Sequence, residues 1–288
     1  MATEIKERTD TPTPELHIAP LSDAIGIKVA SIDVRRLTDA EFQRIEAAWL
    51  QNCIALFPGQ SLNQQEQVAF AERFGPLGQL INKHEGRRDH PAVMYVSNVR
   101  EDGKLIGVLP DGEMWFHSDQ CYSERPCAAT MLYAMEIPSK GGNTRYANMY
   151  RAYEALPEPM KRRLAGLKAL NAYDYDANPT QAGPIQRPDA PHYVHPVVRT
   201  HPVTKRKCLY VNRLMTVAIE GMERGESAAL LAELYDHQER PEFIYEHRWT
   251  RGDLLVWDNR CTLHARTDFD ASERRMLRRV IVLGDKPY

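Results

Sequence analysis

The sequence predicts a mainly β protein with flanking helices, of the double-stranded β-helix (jelly roll) type. Three observations carry this expectation. Many short apolar runs are bounded by Gly, Pro and Asn turns; the helical patterns fall early or in insertions between strands; and no glycine loop matches a phosphate or dinucleotide fingerprint. The 288 residues divide into a flexible segment over 1–14 and one domain over 15–288.

Taken in order, short apolar runs between Ile18 and Val34 suggest small strands. Thr38-Asp39-Ala40-Glu41 is a capping box, and Phe42, Ile45 and Trp49 follow at helical spacing, so a helix should run to about Asn52. Ile54–Phe57 reads as a buried strand stopped by Pro58-Gly59, and Ser61 to Phe74 as a second helix ended by Gly75. Ala92–Val96 is a strand. Arg100 to Pro110 reads as a loop long enough to serve as a lid. Cys127–Ala134 is an apolar run of buried-strand type. Gly141-Gly142 turns the chain into another strand, and Pro157 to Ala169 reads as a helix with a solvated basic face. Asn171 to His192 is rich in proline and irregular, a second lid candidate. Strands are expected at Val194–Val198, Cys208–Val211, Phe243–His247, Leu254–Trp257 and Arg278–Leu283, with a helix around Ser227–Tyr235.

A formal net charge of -2 gives no electrostatic bias towards nucleic acid or anionic membrane. No apolar run reaches membrane-spanning length, and the charged N-terminal stretch Met1–Arg8 lacks the apolar region of a secretory signal. Five cysteines without CxxC spacing suggest neither a disulfide framework nor a zinc ribbon. A cytoplasmic protein is expected, with a small-molecule anion as partner and a homo-oligomeric assembly.

The chemistry centres on Trp115-Phe116-His117-Ser118-Asp119. On an extended strand, residues two apart share a face, so His117 and Asp119 offer an imidazole and a carboxylate together. With a second histidine they would make the facial triad that holds Fe(II) and leaves positions open. His264, placed just beyond the Leu254–Trp257 strand, is the candidate. Arg275 follows within Glu273-Arg274-Arg275-Met276-Leu277-Arg278-Arg279. Its guanidinium can fork onto a carboxylate, and alternation puts Arg275, Leu277 and Arg279 on one face. Two arginines facing an interior need anions to neutralise them.

The series His117-x-Asp119, Thr144, His264, Arg275 and Arg279 resembles the taurine/2,4-dichlorophenoxyacetate dioxygenase (TauD/TfdA) family. The likeness spans about Asp23 to the C-terminus and includes the Gly141–Thr144 turn and the Trp257–Arg260 approach. It implies Fe(II), with 2-oxoglutarate and O2 as co-substrates. His117, Asp119 and His264 would be the iron ligands and Thr144 with Arg275 the clamp on the distal carboxylate of 2-oxoglutarate. Arg279 would anchor the anionic group of the substrate. Glu113 stands where the taurine enzyme of the family has a substrate-contacting asparagine, and its carboxylate would repel a sulfonate. His84, Phe116 and Tyr122 complete the candidate substrate-binding set. The implied reaction is hydroxylation of a small organic anion with release of succinate and CO2, the preferred substrate an aryloxyalkanoate such as 2,4-dichlorophenoxyacetate. Taurine or an alkylsulfonate is the alternative within the family. Outside it stand a zinc-dependent hydrolase and a non-catalytic binding module.

Overall fold

The computed structural model describes residues 16–78, 90–109, 112–173 and 189–288. The expected flexible segment over 1–14, His84, and most of the second lid candidate lie outside these residues. The described chain is mostly β with few helices. Strands β1 (His17–Pro20) and β2 (Ile27–Ala30) form a hairpin, and helix α1 (Asp39–Asn52) follows. Thr38 caps α1: its hydroxyl accepts the Glu41 N–H at 3.2 Å, and the Glu41 carboxylate accepts the Thr38 N–H at 2.8 Å. Next come β3 (Ile54–Phe57), α2 (Gln64–Glu72) and β4 (Val93–Ser97). The first lid candidate begins as a small hairpin, β5 (Arg100–Glu101) and β6 (Lys104–Leu105). Asp102 and Gly103, both at positive φ, make its turn, a turn geometry the loop reading overlooked.

Then follow β7 (Met114–His117), β8 (Ala129–Glu136), β9 (Thr144–Asn148), α3 (Met149–Glu154) and α4 (Glu158–Leu164). The predicted helix over 157–169 stops at Leu164 because Gly166 takes a left-handed φ. Lys168–Ala172 is then β10, so the irregular stretch starts later than the sequence suggested. β11 (His192–Pro196), β12 (Val198–Thr200), β13 (Lys207–Leu209), β14 (Thr216–Ile219) and α5 (Arg224–Gln238) follow, with β11 and β14 flanking β10 in a three-stranded sheet and β12 pairing β13. The chain closes with β15 (Ile244–His247), β16 (Leu254–Asp258), β17 (Thr262–Arg266) and β18 (Met276–Val282).

Two sheets position everything that matters. One has seven strands in the order β1-β2-β3-β16-β8-β18-β4; the other has four, β15-β9-β17-β7. The central strands of the larger sheet are buried on both faces along most of their length, which explains their largely apolar sequence. On β8 and β16, Met131, Tyr133, Leu254 and Val256 pack with Phe42, Trp49 and Phe70 of α1 and α2. The alternate residues Leu132, Ala134, Leu255 and Trp257 face the smaller sheet and share a core with its Tyr146. Trp257 and Tyr146 meet across this seam with ring centroids 5.5 Å apart. Truncating so buried a tryptophan would cost roughly 3–5 kcal/mol.

Candidate active site

Opposed residues of an antiparallel pair share a face. Register therefore puts His117 opposite His264, His264 opposite Tyr146, Thr144 opposite Arg266, and His247 opposite Thr144. All six side chains belong to the face of the smaller sheet that looks towards the larger one. Between the pairs His264–His117 and Arg266–Met114, β7 uses one residue more than β17, a bulge at Trp115-Phe116. The bulge restores His117 and Met114 to the same face despite their odd spacing. His264, just beyond the Leu254–Trp257 run as the sequence placed it, stands on a strand of its own, β17.

His117 Nδ1 stands 2.9 Å from the Trp115 carbonyl, which can only accept. The ring proton therefore sits on Nδ1, and Nε2 presents its lone pair to the site. Asp119 is not on the strand. β7 ends at His117, and Asp119 enters a turn whose next residue, Gln120, has φ 57°. The turn, not strand alternation, brings its carboxylate round. Asp119 Oδ1 ends 3.9 Å from the Nε2 atoms of both His117 and His264. Ligand atoms of the three residues all lie within 4.8 Å of one another, and the two imidazole rings within 4.1 Å.

Electrostatics favour the metal-ready forms. Burial lowers the pKa of His117, and burial together with the neighbouring His117 pushes His264 down to about 3, so both rings are neutral near pH 7. Burial would raise the Asp119 carboxyl, but Arg279, then His264 and His117, overcome it and hold the group ionised well below the usual carboxylate range.

A second cluster, His201, Asp258 and Cys261, has comparable spacing. It is already satisfied. Arg260 holds the Asp258 carboxylate at 2.6 and 2.7 Å. His201 Nδ1 accepts the N–H groups of Val203 and Thr204, so its Nε2 carries the proton donated to Asp258 at 3.0 Å. A protonated nitrogen is no ligand, and the cluster is a structural ion network.

Beyond the histidines that inner face looks onto cationic groups of the larger sheet. Arg275 is almost fully buried, and its Nε donates to the Gly142 carbonyl at 3.1 Å. Among the described residues its Nη1 has no acceptor. Burial, with the Arg266 guanidinium close by, pushes it down to about 9, so it stays charged near pH 7. Thr144 lies on this face, and its hydroxyl accepts the Trp249 indole N–H at 3.0 Å. Gly142 has φ 63°, and a Cβ there would sit 3.1 Å from Arg275 Cδ and Nε. Glycine is what allows the arginine to lie so close.

Other candidates separate. Arg279 enters the cluster, its Nη2 2.6 Å from Asp119 Oδ1. Arg278 points the other way onto the Tyr133 ring, and the exposed Arg274 pairs with half-buried Glu136. Tyr122, with Trp115 and Tyr173, packs against an apolar cluster of Cys121, Tyr210, Leu214 and Met215. Burial pushes its phenol up, and Arg279 and Asp119 are among the charges it feels. Phe116 and Glu113 depart from expectation. Phe116 is in the core, and both residues line a cavity of about 440 Å³ that Arg145, Ile244 and Glu246 also line. Arg145 and Glu246 alternate with Thr144 and His247, so this cavity opens on the face away from the histidines. Glu113 itself is exposed.

The family model for taurine catabolism dioxygenase TauD, TfdA family, matches residues 17–281. The chain belongs to this family. The (S)-phenoxypropionate/alpha-ketoglutarate-dioxygenase of Sphingobium herbicidovorans is 34% identical over 95% of this chain and 96% of its own. The alpha-ketoglutarate-dependent 2,4-dichlorophenoxyacetate dioxygenase of Cupriavidus pinatubonensis is 36% identical over 92% and 97%. The crystal structure of AAD-2 in complex with Mn(II) and N-oxalylglycine superposes with a TM-score of 0.77 at 30% identity, covering 94% of this chain and 98% of that one. As a TauD/TfdA member the chain is an oxidoreductase, a 2-oxoglutarate-dependent dioxygenase that uses a metal.

The residues present fit both groups. Two neutral imidazoles and an ionised carboxylate converge as a metal site requires. Arg275, a buried cation whose Nη1 lacks an acceptor among the described residues, fits a carboxylate. Sequence reasoning missed four contributors to this TauD/TfdA site: Arg266, Trp249, Thr130 and Asn259. Arg266 was accessible, since it stands two residues after His264 on the same strand. The other three gain their roles only through long-range contacts.

Proposed function

We propose that the protein is an Fe(II)- and 2-oxoglutarate-dependent dioxygenase that hydroxylates a small organic anion, an aryloxyalkanoate in first place. The observation that carries this is the neutral His117–His264 pair with ionised Asp119, between the same two sheets as the buried Arg275. His117, Asp119 and His264 would hold the iron. Bound there, it supplies activation of O2, coupled to decarboxylation of 2-oxoglutarate to succinate and CO2 and to hydroxylation of a C–H bond.

The chain's own residues do the positioning. Arg275 forks onto the distal carboxylate of 2-oxoglutarate. The Thr144 hydroxyl, already accepting from Trp249, has its own hydrogen free to donate to the same group. Arg279 takes the substrate carboxylate beside Asp119. The apolar cluster with Tyr122, Tyr173 and Trp115 offers an aromatic ring a dry wall next to that anchor. An anionic head with an aryl tail suits this combination. Hydroxylation beside the ether oxygen would give a hemiacetal that collapses to a phenol and a 2-oxo acid. The packing of the two sheets supports reading the fold as a double-stranded β-helix. A zinc hydrolase would leave the Arg275–Thr144 arrangement without a task.

The test is succinate formation by Fe(II)-loaded protein with 2-oxoglutarate and O2 across aryloxyalkanoates, alkylsulfonates and small carboxylates. Expected is succinate stimulated by an aryloxyalkanoate and lost in His117→Ala and Arg275→Ala. Stimulation by sulfonates alone would replace the substrate class. Oxygen-independent turnover with zinc would replace the reaction.

A further inference from the structure

Behind Asp119 lies a chain of buried hydrogen bonds with a fixed direction. The Trp257 indole N–H, a donor only, reaches Asn259 Oδ1 at 3.0 Å, and the Asp119 backbone N–H reaches the same oxygen at 3.2 Å. Two donors converging on one amide atom identify it as the oxygen and fix which way the Asn259 amide faces. Its nitrogen then donates to Thr130 Oγ1 at 2.8 Å and, more weakly, towards Cys127 Sγ at 3.4 Å. Because Thr130 accepts from Asn259, its hydroxyl hydrogen is available to Asp119 Oδ2, 2.6 Å away. Thr130, Asn259 and Trp257 are all essentially without solvent exposure, so no water competes for these positions.

We infer that Thr130, oriented by Asn259 and Trp257, is a positioning residue that confines Asp119 to coordinating a metal through Oδ1 alone. The inference rests on reading His117, Asp119 and His264 as the metal ligands. Oδ2 is engaged by Thr130, whereas Oδ1 is the oxygen equidistant from the two histidine nitrogens. A carboxylate free to turn both oxygens to the ion would use an additional coordination position. An octahedral metal with two histidines and a single carboxylate oxygen keeps three, the number that a chelating 2-oxo acid and O2 together require. Thr130 stands on the inner face of β8, a strand of the other sheet, so the relay also ties the ligand turn to the larger sheet.

The experiment is equilibrium Mn(II) binding to the full-length protein, read from the free-ion electron paramagnetic resonance signal, beside the water-proton relaxivity of the bound Mn(II) as a reporter of how many positions stay open to solvent. Thr130→Val should weaken Mn(II) about 10- to 100-fold and lower the relaxivity by about a third, because the second carboxylate oxygen takes one of three positions otherwise held by water. Thr130→Ser should restore both. Wild-type affinity in Thr130→Val, or a loss that Thr130→Ser does not repair, would overturn the inference. If the valine variant does not fold, Thr130→Ala removes the hydroxyl without adding a methyl group and is judged by the same outcomes. His117→Ala separates the underlying reading: if it binds Mn(II) as tightly as wild type, the metal assignment fails whatever Thr130 does.

Discussion

Arg279 Nη2 lies 2.6 Å from Asp119 Oδ1, the oxygen that also faces both histidines. A substrate carboxylate held by the same guanidinium would therefore sit against the metal ligands. Arg279→Met should lower kcat/KM for a carboxylate substrate by about 100-fold or more, the scale of a lost charge-assisted pair. The KM for 2-oxoglutarate should change little. Arg279→Lys, which keeps the charge but not the fork, should fall between. Succinate formation against substrate concentration measures this; an unchanged substrate KM in Arg279→Met would remove Arg279 as the anchor.

Trp249 donates to Thr144 and so fixes the polarity of that hydroxyl. Trp249→Phe keeps the ring and removes the donor. It should raise the KM for 2-oxoglutarate by roughly 5- to 10-fold, the value of one buried hydrogen bond, with kcat within about twofold. Thr144→Val should do the same, and the double variant little more, because both act through one contact. Additive effects would show that the two residues act separately.

Gly142 combines a left-handed φ with close contact to Arg275 and Pro138. Gly142→Ala should cost about 1–2 kcal/mol of stability from backbone strain. By displacing Arg275 it should also raise the KM for 2-oxoglutarate, with wild-type KM for the organic substrate. Thermal melts and steady-state kinetics on one preparation read both effects.

His195 gives a pH signature apart from the site. It is buried, with Nε2 2.8 Å from the Ser123 carbonyl, and burial pushes it down to about 4. The unfolded chain binds this proton near the reference value of about 6.5 and the folded chain only near 4, so between these values the unfolded state holds more protons. The contribution is intact above pH 6.5 and falls by up to about 3 kcal/mol as the pH drops towards 4. His195→Gln should flatten the dependence of denaturation midpoint on pH in this window. An unaltered slope would show that His195 is protonated in the fold.

Much of this was legible because strands announce themselves locally. The runs around Ile54, Leu132 and Leu255 are apolar on both faces, and they became the strands of the larger sheet. The alternation that grouped Arg275 with Arg279 also holds in space, where Arg278 points away onto Tyr133. What misled was applying strand geometry past the end of a strand. Asp119 reaches the histidines through a turn with Gln120 in the left-handed region, which the His-x-Asp spacing does not announce. Phe116 faces away by ordinary alternation from its neighbour His117; what the bulge adds is the return of Met114 to the inner face, and bulges come from pairing register rather than from composition. Thr130 and Asn259 looked ordinary for a related reason: the bond between them joins positions 129 residues apart in the chain.

The site draws on both sheets. His117, Thr144 and His264 stand on the smaller one, whereas Thr130 and Arg279 come from the larger. Neither sheet alone can assemble a complete centre, so ligand capture is thermodynamically linked to closure of the seam marked by Tyr146 and Trp257. A metal ion held there acts as a rivet between layers, and its affinity becomes a gauge of how well the two halves are joined. Mutations that loosen the seam far from the histidines will surface as poor metal retention before they surface as unfolding.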